Sequence, residues 1–324
     1  MELRKVQETS DGTYFITLPK RWAKRFNVYK GSLVYVHERE NGAIMVTPYS
    51  VPEREVKAVV LEPSPIIERL IGGNYLLGAD VIEVRSDKVI SSEMRDRVKR
   101  ILKRFVGLEI VEEDSRKIVI QCLLEPSMLM PEKVLRRIHL ISSEMEKDAV
   151  ESLLSRDAEL AETVVERDEE VDRLYFLMVR LVRAAISQPS LGERLSLTPI
   201  ECLDYRLLAG LLEHFADHAA SIGAIAASSL QHGLQGEPEE TLRRIGESIY
   251  SSYNEAFAAF LKRDLPLAES TAKKCRGLKE ELARFEEHLL QLGREAREKL
   301  TSAVIALNSM CEICVDIADL TRAR

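Results

Sequence analysis

The chain has 324 residues, with 46 Lys and Arg against 53 Asp and Glu, which gives a formal net charge of −7. This length suffices for two or three domains, and 6% aromatic with 31% charged residues favours long helices over β-sandwiches. Overall acidity argues against a protein that wraps nucleic acid. However, residues 1–50 carry +3 and the remainder carries −10, so a nucleic-acid or membrane partner would have to meet the first 50 residues.

Targeting signals are missing from the sequence pattern. The first eight residues, MELRKVQE, contain no apolar stretch of the kind that a signal peptide needs. No window of about 18 apolar residues is present to span a bilayer. We therefore expect a soluble, cytoplasmic protein.

The first 50 residues predict two β-hairpins joined by a short helix. Residues 3–8 and 13–18 alternate apolar and polar side chains around the turn Ser10-Asp11-Gly12. Pro19 opens the helix, and a second pair of strands at 32–38 and 43–47 flanks the turn Asn41-Gly42. So small a domain buries little apolar surface alone, and we expect it to oligomerise.

The hairpin region resembles the AbrB/SpoVT/MazE swapped-hairpin DNA-binding family. The resemblance lies in Thr17-Leu18-Pro19-Lys20 and Lys30-Gly31-Ser32, within YFITLPKRWAKRFNVYKGSLVYV. It implies an obligate dimer with interleaved strands and a basic surface that meets DNA. Contacts to phosphates or to a groove are then expected from six basic residues: Arg4, Lys5, Lys20, Arg21, Lys24 and Arg25. The alternative is a solvated basic face on a module that only dimerises.

Residues 51–127 predict a small α+β domain. Strands at 54–61, 80–85, 108–111 and 117–124 alternate with helices at 65–77 and 91–105, and Ser91 or Ser92 caps the second helix. Residues 94–104 of that helix hold six basic residues and one acid. Three roles are open for this basic helix: it could extend the surface that contacts DNA, contact the acidic body, or face solvent only.

Residues 128–324 predict a body of long helices. The helical periodicity runs over six segments, at 131–155, 157–188, 199–232, 238–262, 265–291 and 294–322. An internal repeat relates the halves, because Arg156-Asp157 and Arg263-Asp264 each follow a long helix. Two three-helix units, 131–232 and 238–322, are therefore predicted.

The body resembles the PhoU family of phosphate-uptake regulators, which are tandem three-helix bundles with E/D-x-x-x-D motifs. In that family the motifs gather carboxylates that bind multinuclear iron or other divalent metals. The positions in this sequence that match the motifs are Asp168, Asp172, Glu213, Asp217, Glu312 and Asp316. In the second unit, Cys275 and Lys279 stand opposite Asp168 and Asp172 in the repeat alignment, so a full second cluster is not expected there.

Spacing alone does not establish a metal site, because acidic pairs four apart are ordinary on helices of so acidic a chain. Glu213 and Asp217 differ from that background, since they lie in a weakly charged stretch where two carboxylates repel and are costly to desolvate. A hard cation would remove both penalties. The alternatives are partial protonation or pairing with Arg180, Arg183 or Arg206.

The sequence gives less support to a cysteine-based site or to an enzymatic active site. Cys311 and Cys314 form a single CxxC in a helical pattern, which fits two small buried helix residues or a zinc or redox use. No His has Glu or Asp three residues before it, as ferritin-like oxidase sites require, and no G-x-S-x-G elbow occurs. We do not expect an enzyme.

The fold class that follows is a multidomain, mainly α protein. It has an N-terminal swapped-hairpin β domain (residues 1–50), a small α+β middle domain (51–127) and a C-terminal six-helix body of two three-helix bundles (128–324). The simplest function is a dimeric or higher-order regulator that binds DNA through the first domain and senses phosphate status through the body. The alternative is an accessory protein that restrains a phosphate transporter or sensor kinase without binding DNA. A third class is metal or phosphate storage.

Overall fold

The computed structural model describes residues 2–38, 42–49, 56–228, 236–291 and 294–322. The chain divides into two compact units, Met1–Val56 and Lys57–Arg324, which are called the head and the main unit below. Asn41 of the predicted Asn-Gly turn and the predicted domain boundary at residue 50 lie outside the described residues. The main unit contains both the α+β layer and the helical body.

The head has the two hairpins and the short helix that the sequence predicts. Its elements are β1 (Gln7–Glu8), β2 (Tyr14–Phe15), α1 (Lys20–Arg25), β3 (Val34–Glu38) and β4 (Ile44–Pro48). β1 pairs antiparallel with β2, and β3 pairs antiparallel with β4. Gly12, with φ +84°, supplies the left-handed residue that the first turn requires.

Apolar side chains of the head remain exposed. Among the described residues of this unit, none belongs to the buried hydrophobic core of the protein. The large apolar side chains that face solvent include Leu3, Tyr14, Ile16, Tyr29, Leu33 and Ile44. A single copy of the head therefore leaves an apolar surface uncovered, as expected for a domain that needs a partner.

An α+β layer opens the main unit. Its elements are β5 (Ala58–Leu61), α2 (Ile67–Leu76), β6 (Val81–Arg85), α3 (Ser92–Leu102), β7 (Leu108–Glu113) and β8 (Lys117–Cys122). The sheet order is β5-β6-β8-β7, in which only β5 and β6 are parallel. Alternate strand residues such as Ile82 and Ile120 share a core with Ile71, Tyr75 and Val98 from the helices. As predicted, Ser91 caps α3 by accepting a hydrogen bond from the Met94 amide at 3.3 Å.

The described residues of the body form six long helices and one short helix. They are α4 (Pro131–Ser155), α5 (Ala158–Ser187), α6 (Pro189–Arg194), α7 (Pro199–Ala227), α8 (Glu237–Lys262), α9 (Leu265–Leu289) and α10 (Arg294–Asp319). Buried residues of all six long helices join one core. The predicted repeat is visible in the backbone: Arg156 and Arg263 both adopt positive φ, and Asp157 and Asp264 then cap the next helix.

The short helix α6 was not predicted, because the sequence from residue 188 to 192 reads as a break. Pro189 begins the helix at a position where its missing N–H costs nothing. Gly192 lets the backbone turn back closely, since an added Cβ would lie 3.1 Å from the Ala185 carbonyl oxygen. A helix of six residues is too short for a helical periodicity of apolar residues to be recognised in the sequence.

One helical stretch among the described residues, Arg297–Asp319 within α10, is long and apolar enough to cross a membrane by length and composition. Over half of it (56%) is buried inside the protein. There Leu307, Met310 and Ile317 pack into the common core. Helix packing accounts for its apolar composition.

The α+β layer is joined to the body through α5. Arg180 of α5 is 1% exposed, and its Nη1 donates to the Tyr75 carbonyl at 2.6 Å. Its Nη2 lies 3.7 Å from the Asp80 carboxylate. Phe105 also packs against Phe176 of α5 with its ring tilted, and the ring centroids lie 5.2 Å apart. The layer is thus fixed to the helix by a buried cation and by aromatic contact.

Replacing Arg180 with Ala should lower the free energy of unfolding by about 3 kcal/mol, because it removes a buried cation whose partners stay in place. Urea denaturation measures the change. The matched control is Arg183→Ala, since Arg183 is exposed and reaches the Leu76 carbonyl only at 3.5 Å; it should cost less than about 1 kcal/mol. Equal losses in the two variants would contradict a special role for Arg180.

Candidate functional site

The main candidate site is a set of carboxylates between α5 and α7. Asp168 and Asp172 lie one turn apart on α5, and Glu213 and Asp217 lie one turn apart on α7. Asp172, Glu213 and Asp217 each place a carboxylate oxygen so that the three oxygens lie within 4.8 Å of one another. The two motifs that the sequence singles out in the first repeat therefore meet in space.

Asp168 contributes a buried oxygen beside this set. Its Oδ1 is inaccessible to solvent and has no hydrogen-bond partner in the described part of the chain. A buried carboxylate oxygen without a donor is costly and rare in proteins. Its charge acts on Glu213, which shows that it lies within electrostatic reach of the other three acids.

Crowding perturbs the protonation of these acids. Burial, followed by the charges of Asp217, Asp172 and Asp168, raises the pKa of Glu213 from 4.5 to about 7. Burial and the neighbouring acids raise the pKa of Asp168 from 3.8 to about 6. The pKa of Asp217 is also raised, by burial and then by Asp172. The raised pKa values mean that full ionisation of these acids is unfavourable in their surroundings.

Of the three cations weighed from the sequence as partners of these acids, only Arg206 acts on the site. Arg180 donates to the Tyr75 carbonyl and Arg183 to the Leu76 carbonyl, both at the C-terminal end of α2. Arg206 donates to the Tyr175 hydroxyl at 2.5 Å, although its charge still lowers the pKa of Glu213. Arg104 makes the close contact instead, with its Nη2 3.2 Å from Asp172 Oδ2.

Arg104 belongs to the basic helix region of the α+β layer, not to the body. Four other cations of that region form ion pairs within the layer, including Arg95 with Glu113 and Arg97 with Glu68. Arg104 thus makes the contact with the acidic body that the sequence left open, whereas Lys103 is exposed to solvent. Sequence reasoning missed Arg104 as a partner of the site because the pair spans 68 residues.

The donor set fits a hard divalent cation. Every donor is a carboxylate oxygen, and such ligands are preferred by Mg²⁺, Mn²⁺ and similar ions. The unpartnered oxygen of Asp168 is the observation that supports the fit, because an ion would supply the positive partner that it lacks. Asp168, Asp172, Glu213 and Asp217 are the residues that would hold the ion.

The second repeat is arranged differently. Lys279 Nζ donates to Glu312 Oε1 at 2.7 Å, and both Glu312 and Asp316 are exposed. Across the ranges that the structure describes, no second set of three donors as close as the first includes these two acids. The metal role predicted for Glu312 and Asp316 thus lacks the geometry seen in the first repeat.

The head presents its basic residues to solvent. Lys20, Arg21, Lys24 and Arg25 all lie on α1, and all four are exposed. Arg4 and Lys5 are also exposed, and Arg4 Nη1 donates to Thr17 Oγ1 at 3.2 Å. That bond brings Arg4 close to the residues that lead into α1. Arg4 also forms an ion pair with Glu2.

The raised pKa of Glu213 gives a pH prediction. Between pH 4.5 and about 7 the folded protein holds a proton on Glu213 that the unfolded chain has lost, so the contribution of this group to stability falls as pH rises through that window. Glu213→Gln removes the effect. The variant should therefore gain stability relative to the wild type between pH 4 and pH 8, by about 2 kcal/mol.

Urea denaturation at several pH values, in the presence of a chelator, measures this difference. Glu162→Gln provides the control, because Glu162 is exposed on the same helix as Asp168. A stability difference between Glu213→Gln and the wild type that stays constant with pH would contradict the prediction.

Comparison with known proteins identifies two domains. A model of the PhoU domain matches residues 135–226, the stretch that contains α5, α7 and all four acids of the first repeat. A model described as antidote-toxin recognition MazE, bacterial antitoxin, matches residues 7–54. Among curated protein sequences, none matches this chain.

Two solved structures are similar to the body. PhoU from Pseudomonas aeruginosa is 20% identical, with a TM-score of 0.53, and the match covers 59% of this chain and 93% of that one. The phosphate transport system regulatory protein PhoU from Streptococcus pneumoniae is 18% identical, with a TM-score of 0.49 and coverages of 59% and 91%. The resemblances seen in the sequence are confirmed: the chain carries a MazE/AbrB-like antitoxin domain at its N-terminal end and a PhoU domain in its helical body.

Proposed function

We propose that this protein is a phosphate-responsive transcriptional regulator of the cytoplasm. The observation that carries the proposal is the presence, in one chain, of a MazE-type domain at 7–54 and a PhoU domain at 135–226. The PhoU domain connects the chain with regulation of phosphate uptake. The head adds a module suited to DNA, which a regulator acting only on a transporter does not need.

The head binds DNA as a dimer in this proposal. The exposed apolar side chains of both hairpins favour a second copy as their cover, because such surfaces are unfavourable in water. Two copies of α1 would then present Lys20, Arg21, Lys24 and Arg25 twice. Arg4 and Lys5 would extend the same cationic surface toward the sugar–phosphate backbone.

The body senses its ligand at the carboxylate set. A divalent cation, manganese or iron among the candidates, held by Asp168, Asp172, Glu213 and Asp217 would neutralise the charge that raises their pKa values. A bound cation supplies a positive centre to which phosphate can bind. Arg104 competes with it for Asp172. Release of Arg104 would therefore connect the occupancy of the site with the α+β layer.

The second candidate is an accessory protein that restrains a phosphate transporter or sensor kinase. The family description of the head concerns recognition of a toxin, which is a protein partner. In this case the head dimerises and the protein binds no promoter. Selection of DNA fragments distinguishes the two functions directly.

DNA affinity selection from genomic fragments, with and without inorganic phosphate and Mn²⁺, tests the main proposal. We expect selected fragments whose affinity changes when phosphate and Mn²⁺ are added. Replacing Lys20, Arg21, Lys24 and Arg25 with Ala should weaken binding roughly a hundredfold near 150 mM salt. It should also reduce the slope of log affinity against log salt concentration by up to about 7, because the dimer loses four cations from each copy.

The control removes the same charge elsewhere, by changing Lys88, Lys99, Arg100 and Lys103 of the α+β layer to Ala, all of which are exposed. Unchanged affinity in the control and a large loss in the α1 variant support DNA contact by the head. Equal affinity of both variants and the wild type would overturn it and favour the accessory function.

Elemental analysis after dialysis against Mn²⁺ tests the carboxylate set. We expect bound Mn²⁺ in the wild type and its loss in Asp172→Ala/Glu213→Ala, because two of the three closest donors are removed. The matched control is Glu144→Ala/Asp148→Ala, an acidic pair with the same spacing whose members bind Tyr250 and Arg167 instead.

The competing cation provides a finer measurement of the same site. Arg104→Gln should raise the affinity for Mn²⁺ about threefold, which is the size expected from losing a half-exposed ion pair. Equal Mn²⁺ content in the two double variants, or a lower affinity in Arg104→Gln, would argue against the assignment.

A further inference from the structure

The carboxylate set has an imidazole beside it on its solvent side. His214 Nε2 lies 3.4 Å from Glu213 Oε2, which is longer than an ordinary hydrogen bond. Asp217 follows His214 by three residues, so the two side chains lie on one face of α7. Asp217 is exposed, and the side chain of His214 is 64% exposed. A nitrogen donor therefore lies against the acids, on the side from which an ion would enter.

The histidine accompanies only one of the acidic pairs. Three other E/D-x-x-x-D pairs lie on the helices of the body, and none of them encloses a histidine: Glu144/Asp148, Asp168/Asp172 and Glu312/Asp316. In the repeat alignment the residue that corresponds to His214 is Ile313, which is 6% exposed and belongs to the apolar core. The imidazole thus accompanies carboxylates that meet across two helices and is missing from the acids of the second repeat.

The distance between the two side chains suits two ligands of one ion. Metal–ligand bonds of about 2.1 Å place neighbouring donors about 3.0 Å apart around an octahedral ion and about 3.4 Å apart around a tetrahedral one. The 3.4 Å between His214 Nε2 and Glu213 Oε2 matches the second value. His214 is not one of the three donors that lie within 4.8 Å of one another. Its exposed side chain would therefore turn toward an ion that the acids hold.

We propose that His214 is a nitrogen ligand of the ion at the carboxylate set and makes this site select ions such as Fe²⁺, Co²⁺ and Zn²⁺ over Mg²⁺. The inference rests on the proposed function, in which the four acids hold a divalent cation. Carboxylates alone suit Mg²⁺ as well, because it prefers oxygen ligands. Imidazole suits Fe²⁺ and Zn²⁺, so its presence separates these ions from Mg²⁺.

A plain ion pair with Glu213 is the other role that the contact allows. Such a pair needs a protonated ring, whereas a ligand needs a neutral ring whose nitrogen lone pair is free. The loss of an exposed ion pair changes the charge of the site and therefore acts on every divalent cation alike. The loss of a nitrogen ligand acts on the ions that accept nitrogen. Selectivity between two ions thus distinguishes the two roles.

X-ray absorption by the full-length protein, loaded with one equivalent of Co²⁺, tests whether the ring is a ligand. Co²⁺ accepts both oxygen and nitrogen ligands, and a bound imidazole gives a multiple-scattering signal that carboxylates do not give. We expect this signal in the wild type and its loss in His214→Gln. His288→Gln is the matched control, because His288 is an exposed histidine of α9 in the second repeat, and the signal should persist in that variant.

Calorimetric titration with Co²⁺ and with Mg²⁺ measures the selectivity. His214→Gln should weaken Co²⁺ binding about tenfold, which is the lower end of the loss expected when a group that supports a metal site is removed. Its affinity for Mg²⁺ should stay nearly unchanged. Circular dichroism establishes that the variant is folded, as expected for a side chain that is 64% exposed. Equal weakening of Co²⁺ and Mg²⁺ binding would assign His214 to an ion pair and overturn the proposal.

The variant Asp172→Ala/Glu213→Ala separates this proposal from the proposed function. If that variant loses Co²⁺ while the imidazole signal persists in His214→Gln, the role of His214 is overturned and the carboxylate site stands. If the variant binds as much Co²⁺ as the wild type, the carboxylate site is overturned and the role of His214 with it. A signal that is lost in His218→Gln and kept in His214→Gln would assign the ligand to the other histidine and also overturn the proposal.

Discussion

Electrostatic repulsion between α5 and α7 is the constraint on which the site depends. Both helices contribute buried apolar residues to one core, including Val171 and Leu212, so the packing fixes where their acidic side chains meet. Three carboxylate oxygens within 4.8 Å of one another repel when they are ionised, and this repulsion adds to burial in raising the pKa values of Glu213 and Asp217. The guanidinium groups of Arg104 and Arg206 offset part of the repulsion, and a proton on Glu213 or a bound cation would offset it further.

The helix α5 contacts both the α+β layer and α7. Arg180 holds the α+β layer against one end of the helix, while Asp168 and Asp172 meet α7 further toward its start. Arg104 of the layer contacts α5 between these two positions. It pairs with Asp172 and also lies over the Phe176 ring, 5.4 Å from its centroid. Arg104 is therefore the side chain of the layer that contacts the carboxylate set directly.

Local signals in the sequence predicted the fold well, and long-range contacts were beyond them. The predicted α4 and α8 agree with the observed bounds within one residue, and Asp157, Thr198 and Asp264 set the starts of other helices through caps that act within three residues. The i,i+4 acids were found because they share a helix face. Arg104 was not singled out, since its partner Asp172 lies 68 residues away in the sequence.

Among the described residues, a set of three close carboxylates is found in the first repeat and not in the second, and the two repeats differ in the cations beside these acids. In the repeat alignment Lys279 stands where the first repeat has Asp172, and it neutralises Glu312 from within the same unit at 2.7 Å. Asp172 instead receives its cation, Arg104, from the α+β layer. The cation beside the acids thus comes from the same helix pair in the second repeat and from outside the helix pair in the first, which is why only the first joins its acids to the α+β layer.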